Sequence, residues 1–246
     1  MHAIQRLACA VSMLALCAAA QQPAAPPQSA SQPGSENAEL RLRLEWPHAA
    51  KHHPVPAVLW LEPLPGTDAA AFTPRGHYTL LQKNRMFIPH LQVVPVGTAV
   101  AFPNADPFFH NVFSLFDGKR FDLGLYEAGS SKSVTFSREG VSYIFCNIHP
   151  EMSAVVLALP TPLFAIADPH DSFVLRNVPA GDYKLHLWIE GLPPSIVDGM
   201  TRFVHLSAGV VDMGSLTIPA KPSGPAAHTN KFGNEYDSHP KSPYDH

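Results

Sequence analysis

The chain has 246 residues, of which 46% are hydrophobic and 15% charged, and a formal charge of −3. That is enough apolar material for one large or two small domains. The modest acidity and the lack of any basic stripe exclude a nucleic-acid surface. Along the chain, His2 and Arg6 precede an apolar run over residues 7–16, and Ala18-Ala19-Ala20 before Gln21 suits cleavage by signal peptidase. Residues 1–20 therefore read as a signal peptide, and the protein as periplasmic or secreted. Cys17 as a lipid anchor is disfavoured by the bulky Leu16, and the apolar run is too short for stable membrane insertion. Cleavage removes Arg6 and no acid, moving the charge to −4, and it removes Cys9 and Cys17. Cys146 is then the sole cysteine of an exported protein, which calls for metal ligation, nucleophilic reactivity or an intermolecular bridge.

Residues 21–36, rich in Gln, Pro, Ala and Ser, read as a disordered linker. Leu40, Leu42, Leu44 and Trp46 alternate with Arg41, Arg43 and Glu45, which predicts a half-buried strand over 39–46. A second strand is predicted over 58–61. Between them His48, Lys51, His52 and His53 lack the rigid spacing of a metal site and read as a solvated loop. From Met86 the pattern is continuously β: 87–94 and 99–102 read as a hairpin turning at Pro95-Val96-Gly97-Thr98, which would bring His90 and Asn104 to one end. Strands follow over 121–125, 131–137 and 141–146, with Gly118, Gly129 and Gly140 in the connections. No amphipathic helix interrupts them, so an all-β sandwich or open barrel is expected.

The chemistry concentrates in Cys146-Asn147-Ile148-His149-Pro150-Glu151-Met152, which places a thiolate, an imidazole and a thioether on one short loop after an apolar strand. Phe108-Phe109-His110-Asn111-Val112 offers a second imidazole at the mouth of another strand. Two His and one Cys in a plane with a weak axial Met form the ligand set of a mononuclear electron-transfer copper site, so His110, Cys146, His149 and Met152 are expected to hold one copper ion. Three other readings compete. A Cys146–His149 hydrolase dyad needs an accessible thiol in a positive environment, usually at a helix N-terminus, and no helix follows. A structural Cys would need no His or Met beside it. Zinc gains little from a thioether. His90 reads as a surface histidine, an outer hydrogen-bonding partner or an extra ligand, the surface reading being favoured.

These motifs carry a resemblance. Gly97-Thr98, Val100, Phe102-x-Asn104, His110-Asn111-Val112, Gly140-x4-Phe145-Cys146 and Cys-x2-His-x2-Met resemble the blue-copper cupredoxins of the plastocyanin, pseudoazurin and amicyanin group. The tight ligand loop is most similar to amicyanin, and the arrangement also resembles larger methylamine-utilisation-type exported proteins. The likeness covers about residues 77–159 and departs at Ile148 and Glu151, on the surface that would meet a partner. It implies a Greek-key β-sandwich, a docking surface near His149, and an Asn111 that ties the two ligand loops together by hydrogen bonds. A second stretch, 164–188, with Asn177-Val178-Pro179-Ala180-Gly181-x-Tyr183, looks like the second half of a carboxypeptidase-regulatory, transthyretin-like sandwich, whose first half resembles 40–62. The copper domain, 77–159, would then be inserted in a flanking host sandwich built from 37–76 and 160–218. Two tandem sandwiches or one enlarged cupredoxin are the alternatives. Residues 219–246 read as a disordered tail in which His228, His239 and His246 are solvated.

The resulting expectation is an exported carrier of single electrons cycling Cu(II)/Cu(I), not an enzyme, because four protein ligands leave no position for substrate. A dehydrogenase, a cytochrome or an oxidase would serve as its redox partner. A copper-handling or copper-sensing binding protein is the alternative. Carbohydrate binding by the flanking sandwich would rest on Trp46, Trp60 and Trp188, whose strand positions favour core burial instead.

Overall fold

Alternation decides the first strand. In β1 (Asn37–Glu45) Ala38, Leu40, Leu42 and Leu44 are buried while Arg41, Arg43 and Glu45 face water, so one face belongs to a core. β2 (Ala57–Pro63) has a near-continuous buried run from Ala57 to Leu61, which requires a sheet covered on both faces. Next come β3 (Tyr78–Thr79), β4 (Leu81–Lys83), β5 (Met86–Ile88), β6 (Leu91–Pro95), β7 (Thr98–Pro103), β8 (His110–Ser114), β9 (Phe121–Tyr126), β10 (Ser131–Phe136), β11 (Gly140–Cys146) and β12 (Ser153–Leu159). The chain ends its regular structure with β13 (Phe164–Ile166), β14 (Ser172–Pro179), β15 (Gly181–Ile189), one short helix α1 (Pro194–Asp198), β16 (Arg202–Leu206) and β17 (Gly209–Thr217). This computed structural model describes residues 37–46, 54–67, 73–74, 76–115, 118–220, 222–223 and 228–236. The expected signal peptide over 1–20, the expected linker over 21–36, the residues His48, Lys51, His52 and His53, and the histidines His239 and His246 lie outside the described residues.

The fold is all-β. Four sheets, in the orders β14-β1-β17, β13-β2-β15-β16, β6-β12-β11-β8-β9 and β10-β7-β3, are accompanied by the two-stranded β4-β5. Three apolar cores lie between the four. The first joins β1 and β14 to β2, β15 and β16 through Leu40, Leu42, Leu59, Leu61, Tyr183 and Leu185. A second, smaller core sets Val58 and Trp188, from the outer face of the β2-β15 sheet, against Val93, Val155 and Leu157 of the five-stranded sheet. The third lies between the five-stranded sheet and β7-β10, and holds Phe102, Val112, Phe136, Ile144 and Val156 together with Cys146 and Met152. Trp188 is thus core, with Trp60 packed against the same cluster. Trp46 packs on the first core, and its indole donates to Asp171 Oδ2 at 3.0 Å.

Two expectations change. The hairpin over 87–102 does not form. β6 pairs in parallel with β12, whereas β7 pairs with β10 and β3, so the turn at Val96-Gly97 is a corner between two sheets. Val93 and Val94 explain it: they are buried on opposite faces, in different cores, and a free hairpin would leave one of them wet. The disordered tail over 219–246 does not describe residues 228–236, which bond to the loop after β11. Polar side chains meeting backbone carbonyls hold this segment, and it needs no aliphatic content to be seated. Among the described residues no helix is long and apolar enough to cross a membrane.

Candidate metal centre

β11 and β12 pair in unbroken register from Gly140↔Ala158 to Phe145↔Ser153, which makes residues 146–152 the loop of that hairpin. On its other side β11 meets β8 at Phe145↔Phe113 and Cys146↔Val112, so the cysteine ends a central strand and is fully buried. Its N–H donates to Met152 O at 3.2 Å, and Met152 N–H returns to His149 O at 3.1 Å. The loop is therefore a closed hydrogen-bonded turn with Pro150 at its tip. Asn147 N–H donates to Asn111 O at 2.8 Å, which fastens it to the start of β8, where His110 sits with no exposed surface.

These elements bring three ligand atoms together. Cys146 Sγ lies 3.6 Å from His110 Nδ1 and 3.5 Å from His149 Nδ1, and all three lie within 4.8 Å of one another. Metal bonds of about 2.0 Å to nitrogen and about 2.3 Å to sulfur, opened to 120°, separate N from S by about 3.7 Å. Both sulfur–nitrogen separations fit donors that would share one ion. Met152 is fully buried in the same core as Cys146.

Charge and tautomer agree with ligation. His110 Nε2 lies 3.0 Å from Asp106 Oδ2. Asp106 is itself buried and accepts the N–H groups of Asn84 at 2.6 Å and Arg85 at 3.0 Å. Burial works against its charge, but these two N–H groups and His110 outweigh it and hold the carboxyl below its ordinary range. An ionised carboxylate only accepts, so Nε2 must carry the proton and Nδ1 presents its lone pair to the cluster. Burial also holds His110 neutral, its value lowered despite Asp106. His149 is lowered by burial and by His110 beside it. Burial pushes the Cys146 thiol up, against the N–H groups of Ile148, Asn111 and His149 that favour the thiolate. Two neutral imidazoles and a thiol that must yield its proton are what a metal would meet. Phe108 closes one side, its ring 5.3 Å from His110 and 5.4 Å from His149, with the Arg85 guanidinium 5.4 Å from its centre.

The structure thus brings His110, Cys146 and His149 together and buries Met152 in the core that also holds Cys146, its backbone bonded to Cys146 and His149. His90 is placed elsewhere: Nδ1 lies 3.1 Å from Ser153 O, and Nε2 lies 2.9 and 3.0 Å from the two oxygens of buried Glu190. Both nitrogens are engaged, so it links the residue after Met152 to the end of β15. The tie between ligand loops attributed to Asn111 is made by its backbone, while its side chain donates to Asp122 Oδ1 at 2.6 Å. Sequence reasoning missed Asp106, although its i,i+4 relation to His110 was visible, because a lone acid in a loop is usually solvated. It also missed Asn84 and Arg85, whose adjacent positive φ values of 55° and 56° make the β4–β5 turn that cradles Asp106.

No protein-family model matches the chain, and no curated protein matches it. Among solved structures it is similar to a purple cupredoxin from Nitrosopumilus maritimus, at 26% identity over 33% of this chain and 96% of that one, with a TM-score of 0.30. It is similar to a copper-containing nitrite reductase from Thermus scotoductus SA-01, at 25% identity over 40% of this chain, with a TM-score of 0.33; the match spans 25% of the reductase. An amicyanin variant in its reduced state matches at 20% identity over 37% of this chain and 94% of its own, with a TM-score of 0.32.

Proposed function

We propose that the protein is an exported carrier of single electrons, and that His110, Cys146, His149 and Met152 are the residues that would hold its one copper ion. The observation that carries this reading is the cluster of buried His110 and Cys146 with half-buried His149, at sulfur–nitrogen separations of 3.5–3.6 Å. Copper bound there would supply a Cu(II)/Cu(I) couple. The chain's own part is to hold geometry still. Cys146 is fixed by strands on both sides, His110 by Asp106, and His149 by the hydrogen-bonded turn. With Met152 the protein supplies four donors and leaves no position for a substrate, so bond-making chemistry is not part of this reading. His149 is half-buried, with exposed Phe109 and Ile148 nearby in sequence to the ligands. This rim suits a redox protein such as a dehydrogenase, cytochrome or oxidase. Residues 1–20 would direct export to the periplasm or beyond. The domain plan we favour places the copper domain, 77–159, as an insertion in a host sandwich of 37–76 and 160–218. The first core, built from residues on both sides of the insertion, supports it.

Copper loading of the mature protein tests the reading. Wild type should develop the intense visible thiolate-to-copper band, and Cys146→Ser should lack it while staying folded. A colourless wild type sinks electron transfer as the function. Fast surrender of Cu(I) to a chelator combined with slow electron exchange would replace it with copper handling.

A further inference from the structure

We propose that residues 228–236 are a strap that positions the ligand loop from outside, with Tyr236, His228 and Lys231 as positioning residues of Cys146; its bearing on copper rests on the function proposed above. The segment is a turn organised by its own bonds. Asn230 Oδ1 accepts the N–H groups of Phe232 at 3.0 Å and Asn234 at 3.1 Å, while Asn230 N–H donates to Asn234 O at 2.8 Å and Gly233 N–H to Asn230 O at 2.9 Å. A turn satisfied in this way docks as a unit, with little further ordering to offset the contacts it makes.

Those contacts converge on the ligand-bearing segments. The Tyr236 hydroxyl donates to Cys146 O at 2.9 Å and lies 3.1 Å from His228 Nδ1. The His228 ring stacks on Phe145, the residue before the cysteine, at 3.7 Å and 24°, and its Nε2 lies 3.1 Å from Pro150 O, the residue after His149. Lys231 reaches the loop after β11 and strand β9: its N–H donates to Asn147 Oδ1 at 2.9 Å, and its Nζ lies 2.7 Å from Asp122 Oδ2. Asp122 Oδ1 in turn accepts the side chain of Asn111, the residue after His110. His228, Tyr236 and Lys231 thus hold Phe145, the Cys146 carbonyl, Asn147 and Pro150 directly, and Asn111 through one carboxylate. Hydrogen bonds made to metal ligands themselves fix their orientation, and losing one typically lowers metal affinity by about 10–100-fold; the strap acts one residue further out, so the lower end of that range is the effect expected of it.

The test compares the full mature chain with a chain ending at Ser223, a control chain ending at Tyr236, and the full-length Tyr236→Phe. In the metal-free proteins, hydrogen exchange of the amides of 146–152 reads the strap without any copper. In the copper-loaded proteins, the rate of Cu(I) transfer to a chelator, the thiolate band and the reduction potential are measured. The chain ending at Ser223 should exchange its loop amides faster and surrender copper about tenfold faster. The chain ending at Tyr236 should match full length, and Tyr236→Phe should shift the band and the potential with the fold unchanged. Loop protection unchanged in the chain ending at Ser223 overturns the strap, as does a Tyr236→Phe chain with full-length band and potential. If no chain develops a thiolate band, the proposed function fails while the amide exchange still decides the strap.

Discussion

Replacing Asp106 by Asn keeps the side chain's shape and removes its charge, and the consequences can be worked from three donors. Oδ1 takes Asn84 N–H, and Oδ2 takes both Arg85 N–H and His110 Nε2–H. An amide offers one oxygen. In its better orientation that oxygen keeps Arg85 and His110 and turns an NH2 toward Asn84, leaving a buried donor facing a donor at a cost of about 1–3 kcal/mol. The bonds that survive fall from charge-assisted to neutral, roughly half as strong. Urea unfolding of the metal-free protein should therefore show a loss of about 2–4 kcal/mol at neutral pH. Because folding holds the Asp106 carboxyl below its ordinary range, its stabilisation is present above that range and drains as pH falls through the lowered value; the Asn variant should lack that part of the acid dependence. Competition titration should show copper bound about 10–100-fold more weakly, or about 1.4–2.7 kcal/mol. A variant that matches wild type in both unfolding and competition would refute this account of Asp106.

Two further outcomes are expected. The Glu190 hydrogen bond raises the His90 value above the ordinary 6.5 despite burial, so this pair's stabilisation is full below that ordinary value and is lost as pH rises through the raised one; Glu190→Gln should flatten that stretch of the stability–pH curve, and an unchanged slope would remove the pair from the account. Trp188→Ala, at a side chain 6% exposed between the β2-β15 sheet and the five-stranded sheet, should lower stability by about 3–5 kcal/mol yet leave the thiolate band in place, and a loss below about 1 kcal/mol would mean that the second core contributes little.

What could be read in advance follows from the range of each interaction. β1 was legible because a half-buried strand writes its period into adjacent residues. The convergence of His110, Cys146 and His149 was legible because Cys146 and His149 fall within one hairpin turn and a thiol beside an imidazole there points to another donor on a neighbouring strand. The hairpin over 87–102 was misread because a buried run such as Val93-Val94 announces two covered faces without saying which strand lies alongside. The strap was invisible for a different reason. Lys231, Asn234 and Tyr236 have the composition of a solvated tail, and a hydroxyl bound to a carbonyl 90 residues earlier leaves no periodic trace. Asp106 falls between these cases, its spacing to His110 visible and its burial not.

With copper bound as proposed, Asp106 would also set the sign of an electrical effect. Two neutral imidazoles and one thiolate around copper carry a net charge of about +1 when the ion is oxidised and about 0 when it is reduced. The Asp106 carboxylate, 3.0 Å from the outer nitrogen of His110 and 5% exposed, adds a negative charge that water screens poorly there. It would attract the oxidised centre and gain nothing from the reduced one, and so would hold the reduction potential down. Arg85 opposes it from above Phe108, but from the exposed side, where solvent weakens its field. The Asn variant should therefore have a higher potential as well as a weaker grip on copper, with the loss of affinity larger for Cu(II) than for Cu(I). Equal losses for the two ions would mean that Asp106 orients the imidazole without tuning the couple.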